Sequence, residues 1–152
     1  MDVTADLDAP CTAEQLYAWV EDLTAYPAWL EIVPRAETIA GGPEPAWSVD
    51  LRGRLGPLAR SKRLRMVRTE HDAPRTVVFE RRELDDRSHS AWVLRAEVGA
   101  VDGGSRLTMH LHYGGTLWGP MLERLLGDEI GRSRDRLLAC IAGAEPPSAA
   151  PA

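Results

Sequence analysis

Residues 117–142, LWGPMLERLLGDEIGRSRDRLLACIA, form the one long helical pattern in the chain, and that pattern limits the folds open to it. Apolar residues at Trp118, Met121, Leu122, Leu125, Leu126, Ile130, Leu137, Leu138 and Ile141 recur with the spacing of a single helical face. Pro120 suits the first turn, where its missing N–H costs no intrahelical bond, and Gly143 ahead of Pro146 and Pro147 marks the end. At 1.5 Å per residue such a helix spans roughly 35 Å, about the width of a small domain. Nearly everything before it alternates with the period of a strand. A sheet with one apolar face needs a cover, and this helix is the candidate. Leu125, in the middle of the stripe, is expected to be buried.

The stripe is not purely apolar. Ser133 falls near its centre and Glu129 near its edge, while Arg124, Asp128, Arg132 and Asp135 lie opposite. Acidic residues are seldom fully buried without a partner, so Glu129 is expected to reach solvent at the rim. Gly127 and Gly131, one turn apart, each weaken the helix by about 1 kcal/mol relative to Ala.

Ahead of the helix, Val3, Ala5 and Leu7 alternate with Asp2, Thr4, Asp6 and Asp8, the pattern of a half-buried strand. Thr12 and Gln15 have capping-box spacing, and Leu16, Trp19, Val20 and Leu23 then give about three turns of helix. A second short helix is expected over 25–32, ending before Pro34. Six further strands follow at 35–40, 46–54, 61–71, 75–84, 90–98 and 106–113, separated by Gly-, Pro- and Asp-rich breaks such as Gly56-Pro57 and Asp102-Gly-Gly. The fold class is therefore α+β: a curved antiparallel sheet of seven strands wrapped around the C-terminal helix, with two short helices after the first strand. Residues 1–143 read as one domain, and 144–152 as a disordered tail.

A net charge of −5 argues against nucleic acid as a bulk partner. No apolar run approaches the ~18 residues of a membrane span, and residues 1–6 lack the basic start of a signal peptide, so a cytoplasmic location is expected. Cys11 and Cys140 have neither a disulfide framework nor metal spacing. His110 and His112 alternate with Met109, Leu111 and Tyr113, so they are expected to face solvent and to hold no metal. Neither a phosphate-cradling loop nor a nucleophile elbow is evident, and no cofactor is expected. Either a monomer or a homodimer fits.

The order of elements, the stretch Asp22-Leu-Thr-Ala-Tyr26-Pro27-Ala-Trp29 and the Gly-Gly entry to the last helix resemble the START-like, or polyketide cyclase/dehydrase and lipid-transport, superfamily. The resemblance covers about residues 1–143. It implies the helix-grip fold shared with the birch-pollen allergens and an internal hydrophobic cavity for a lipid, a polyketide or a similar molecule. Members include passive carriers and aromatase/cyclases. The latter are similar in placing an arginine inward on a middle strand beside serine and tryptophan; here Arg68 holds the comparable place, with Met66 and Leu64 as its neighbours.

Alternation puts Arg68 on the face of Leu64 and Met66, and Arg81 on the face of Val77 and Phe79. An inward arginine needs an anionic or hydrogen-bonding partner. Either both arginines extend to water from strand ends, or one anchors a ligand oxygen through its donor fork. Trp29, Leu64, Met66, Phe79, Trp92, Met109, Leu111, Tyr113, Trp118, Met121, Leu122 and Leu125 are the remaining candidates for a ligand-binding wall, rich in the aromatic and Met side chains of adaptable pockets. The expected function is binding of a hydrophobic small molecule between sheet and helix. The alternative is an aromatase/cyclase-type enzyme in which Arg68 or Arg81 polarises a carbonyl and Tyr113 handles the proton.

Overall fold

The computed structural model describes residues 1–55, 58–115 and 119–143. The expected Gly56-Pro57 turn, Trp118 and the tail 144–152 lie outside the described residues, as do the side chains of Met121, Leu122 and Leu125. Seven strands form the sheet: β1 (Asp2–Ala9), β2 (Arg35–Ile39), β3 (Ala46–Leu55), β4 (Leu58–Asp72), β5 (Thr76–Arg81), β6 (Trp92–Val101) and β7 (Gly104–Tyr113). Their order is β1-β7-β6-β5-β4-β3-β2, every pair antiparallel. The first two strands thus close opposite edges, and the segment between them must cross the sheet. Helix α2 (Gly119–Gly143) lies on the inner face. This is the architecture the alternation predicts.

The crossing segment differs from expectation. Helix α1 spans only Ala13–Tyr17, behind a complete capping box in which Gln15 N–H donates to Thr12 Oγ1 at 3.1 Å and Thr12 N–H to Gln15 Oε1 at 2.9 Å. Beyond Tyr17 the chain tightens: Trp19 N–H donates to the Leu16 carbonyl and Val20 N–H to that of Tyr17, both three-residue steps. Apolar period alone cannot distinguish three turns of helix from one turn and a tight coil that still buries Trp19, Val20 and Leu23. The second helix is a 3₁₀ helix at Leu23–Ala28, capped by Asp22, whose carboxylate accepts from Thr24 N–H at 2.8 Å. Pro27 inside it has no N–H to give an α-helical ladder.

The Tyr-Pro-x-Trp turn is tied down by its own polar tips. Tyr26 Oη donates to the Val20 carbonyl at 3.0 Å and Trp29 Nε1 to the Trp19 carbonyl at 3.1 Å. Trp47 Nε1 donates to Asp22 at 3.0 Å. Phe79 stands edge-on to both Tyr26 and Trp47, at centroid distances of 6.2 and 5.4 Å. These rings fill one end of the grip. Burying each as apolar surface contributes about 25 cal/mol per Å², and the edge-to-face pairing adds to it.

Candidate functional site

The other end of the grip is not filled. A cavity of about 150 Å³ lies between the inner sheet face, the 3₁₀ helix with its following turn, and the middle of α2. From the sheet come Val3 and Leu7 of β1, Val49 and Leu51 of β3, Leu64 and Met66 of β4, Trp92 and Leu94 of β6, and Leu107, Met109 and Leu111 of β7. Leu23, Tyr26, Trp29, Leu30, Ile32 and Val33 close it from the crossing segment, and Glu129, Ile130, Ser133 and Leu137 from α2. The strand residues arrive there because each pair of neighbours shares the inward phase of its register: Val49 with Leu64, Trp47 with Met66, Leu94 with Leu111, Val98 with Leu107.

Of the residues singled out from the sequence, Trp29, Leu64, Met66, Trp92, Met109 and Leu111 form part of this wall. Phe79, fully buried, is packed among the aromatics at the filled end instead. Tyr113 is buried against Trp92, with ring centroids 4.7 Å apart, behind the wall. Val3, Leu7, Leu94 and Leu107 were legible as inward residues from their alternation. No sequence signal marks Leu30, Ile32 and Val33, which belong to an irregular turn.

Arg68 faces inward but toward the filled end. Its Nη1 donates to the Glu21 carbonyl at 2.8 Å, and its guanidinium sits 5.6 Å from the Trp47 ring centroid. It is half-buried and does not line the cavity: a backbone carbonyl at the end of the α1 coil is the partner its inward placement requires. Arg81 is a different case. Met66 pairs with Arg81, Trp92 pairs with Tyr113, and the β5–β6 register carries Arg81 to Trp92, so these four make one row across the inner face. The Arg81 side chain is 7% exposed. Its Nη1 donates to the Ser90 carbonyl at 3.3 Å and its Nη2 lies 3.3 Å from His89 Nδ1. Its Nε forms an ion pair with Glu83 Oε1 at 3.6 Å, beyond hydrogen-bond reach, and has no hydrogen-bond partner among the described residues. Trp92 Nε1, in a residue 8% exposed, also has none.

Glu129 corrects the expectation of a solvent-facing acid. It is 3% exposed and part of the cavity wall. Its Oε1 accepts from the backbone N–H groups of Glu31 at 2.6 Å and Ile32 at 3.3 Å, and its Oε2 pairs with Arg132 at 3.1 Å. Arg136 in turn donates to Glu31 Oε2 at 2.7 Å and holds the Glu31 carboxyl below its ordinary value. The buried charge is tolerated because two backbone donors and a guanidinium satisfy it. Ser133 is also buried and donates to the Ile130 carbonyl at 3.1 Å. Burial pushes the Tyr26 phenol well up, so that it remains a donor, committed to Val20.

His110 Nε2 and His112 Nδ1 both lie 3.0 Å from Asp2 Oδ1 on the outer face, each half-exposed and turned away from the cavity. Among the described residues no cluster of three or more His, Cys, Asp or Glu side chains is arranged to hold a metal. Nor is any helix among them long and apolar enough to cross a membrane.

A match to the polyketide cyclase / dehydrase and lipid transport family extends over residues 1–139. The chain belongs to that family. Among solved structures it is similar to a START superfamily protein from Mycobacterium smegmatis, at TM-score 0.70 and 15% identity, covering 93% of this chain and 97% of that one. A Thermus thermophilus protein, TTHA0849, superposes at TM-score 0.62 with 18% identity, covering 93% of each chain. The di-domain ARO/CYC StfQ from the steffimycin biosynthetic pathway gives TM-score 0.65 at 14% identity, with 91% of this chain matched to 49% of that one. At these identities the likeness is one of fold. A search of curated proteins finds no match.

Proposed function

We propose that the protein binds a hydrophobic small molecule, of lipid or polyketide character, in the cavity between sheet and α2. The observation that carries this reading is the wall itself. It is predominantly apolar, the exposed Asp6 and Arg134 being its only other charged residues among those described, and its one buried carboxylate is already satisfied by Glu31, Ile32 and Arg132. An apolar void of this kind excludes water and gains free energy from any apolar molecule that fills it. The fold family, whose description joins polyketide cyclases and dehydrases with lipid transport, supports the same class of ligand. Native mass spectrometry of the purified protein should detect a co-purified apolar ligand, or one-to-one complexes after apolar probes are added. A protein that stays ligand-free with every apolar probe would refute the reading.

A second reading is enzymatic, and one observation favours it. Arg81 Nε and Trp92 Nε1 are buried donors without hydrogen-bond partners among the described residues, though Arg81 Nε keeps an ion pair with Glu83 at 3.6 Å, and they are adjacent in one row with Tyr113. Donors left open in a buried site can receive a substrate oxygen, and catalysis follows only if they hold it more tightly in the transition state. On this reading Arg81 would polarise a carbonyl and Tyr113 would handle the proton. Turnover of a linear poly-β-ketone by the wild type, abolished in Arg81→Met, would establish it; an inert wild type leaves binding alone.

A further inference from the structure

We propose that the seam between β1 and α2 is the door of the cavity, and that the cleft outside it holds the acidic head of an amphipathic ligand, such as a fatty acid, whose tail lies inside. This rests on the binding reading above and names the class of ligand. Continuity is the first argument. A cleft open to solvent runs between β1 and α2, and it shares Val3, Ala5, Asp6, Ile130 and Arg134 with the cavity. A lipid or polyketide that outgrows the cavity can continue outward along this seam.

The second argument is the nature of the two sides. Successive side chains of a strand point to opposite faces, yet Asp2, Val3, Thr4, Ala5 and Asp6 all line the cleft. Consecutive residues can line one space only along the edge of their strand, and β1 is an edge strand that pairs with β7 alone. Met1 and Tyr113 exchange both backbone hydrogen bonds, at 2.8 and 2.9 Å. In the same phase Val3 and Ala5 bond to β7, which leaves the N–H groups of Thr4 and Asp6 on the free edge. Across the cleft stands Gly127 of α2. Glycine weakens a helix relative to alanine, yet a Cβ placed here meets no described atom within 4 Å. Packing among the described residues does not require glycine at this position; an open seam does.

Charge is the third. Arg134 stands exposed where cavity and cleft meet. Its neighbours Arg132 and Arg136 are paired with Glu129 and Glu31, whereas Arg134 has no ion pair among the described residues. The carboxylates of the cleft compete little for it. Asp2 Oδ1 lies 3.0 Å from both His110 Nε2 and His112 Nδ1, and Asp6 acts on Arg106 on the outer face. Glu123 is three helical turns away, roughly 16 Å. A ligand carboxylate can therefore take the Arg134 guanidinium together with an edge N–H of β1, a charge-assisted pairing.

Fluorescence titration and stopped-flow mixing of the full chain with cis-parinaric acid and its methyl ester test the proposal. Wild type should prefer the acid about fivefold, and Arg134→Met should abolish that preference while ester affinity stays within twofold. Gly127→Leu, which places a side chain in the seam, should slow both association and dissociation of the ester about tenfold and change its affinity by less than threefold. Equal affinities for acid and ester in the wild type, or a preference that survives Arg134→Met, would overturn the proposal and leave an apolar-ligand protein. So would unchanged rates in a folded Gly127→Leu, and the Arg134→Met comparison decides if that variant does not fold. Binding of neither probe by the wild type would overturn the proposal together with the reading beneath it.

Discussion

Glu129 on α2 accepts the backbone N–H of Glu31 at 2.6 Å, tying the cover helix to the turn that closes the cavity. The same oxygen takes the Ile32 N–H at 3.3 Å, so one carboxylate satisfies two donors that have no strand or helix to bond. Glu129→Ala should therefore orphan both donors and leave Arg132 only its 3.7 Å ion pair with Glu31, costing about 2–4 kcal/mol in urea denaturation. Glu129→Gln keeps one acceptor oxygen and should lose about half as much. Equal losses in the two variants would mean that the carboxylate's packing, not its acceptors, holds the turn.

Arg68 gives a contrasting expectation. Its guanidinium serves the Glu21 carbonyl and the Trp47 ring, away from the cavity wall. Arg68→Met should cost about 1–3 kcal/mol of stability, because a part-buried carbonyl loses its donor and the ring its cation. Affinity for an apolar probe such as toluene should stay within twofold. A tenfold loss of probe binding in a variant of normal stability would restore Arg68 to the ligand site.

The two residues also mark where the sequence stops being informative. Period-two alternation is a local property, so the strands, the inward phase of Leu64, Met66, Met109 and Leu111, and the outward phase of His110 and His112 are all readable without coordinates. The partner of a buried polar group is not local. Glu129 is satisfied by N–H groups 97 and 98 positions earlier, exposed by a turn that has no repeating pattern. Arg68 is satisfied by a carbonyl 47 positions earlier, freed where α1 tightens past Tyr17. In each case the side chain's face was predictable and its partner was not. For Glu129 that missing partner reversed the expected burial.

Acid should expose the ion pairs on the surface. The Glu31, Asp50 and Asp8 carboxyls are each held below their ordinary values, chiefly by side-chain hydrogen bonds from Arg136, Arg63 and Arg106. A folded-state value below the unfolded one stabilises fully above the unfolded carboxylate range and is lost as pH falls through the folded value. Stability to urea should therefore be flat from about pH 7 to 5 and decline below about pH 4. Because Glu31 and Asp8 are exposed and Asp50 is partly so, about 1 M NaCl should shrink the decline. A decline that salt leaves unchanged would place its origin in buried groups instead.

Trp92 is the sharpest point at which to probe the cavity. Its ring forms wall, while its Nε1 is buried without a partner among the described residues. Trp92→Phe keeps an aromatic surface and removes the orphaned donor, so the lost ring area is offset and stability should change by less than about 1 kcal/mol. The donor's use should emerge from two probes that differ by one oxygen, ethylbenzene and acetophenone. A neutral hydrogen bond contributes about 0.5–1.5 kcal/mol, hence roughly 2- to 12-fold in affinity. The ratio of acetophenone to ethylbenzene affinity should thus fall by that factor in Trp92→Phe, with ethylbenzene itself little affected. If calorimetry returns the same ratio for wild type and variant, the indole N–H does not meet the ligand, and the wall recognises shape alone.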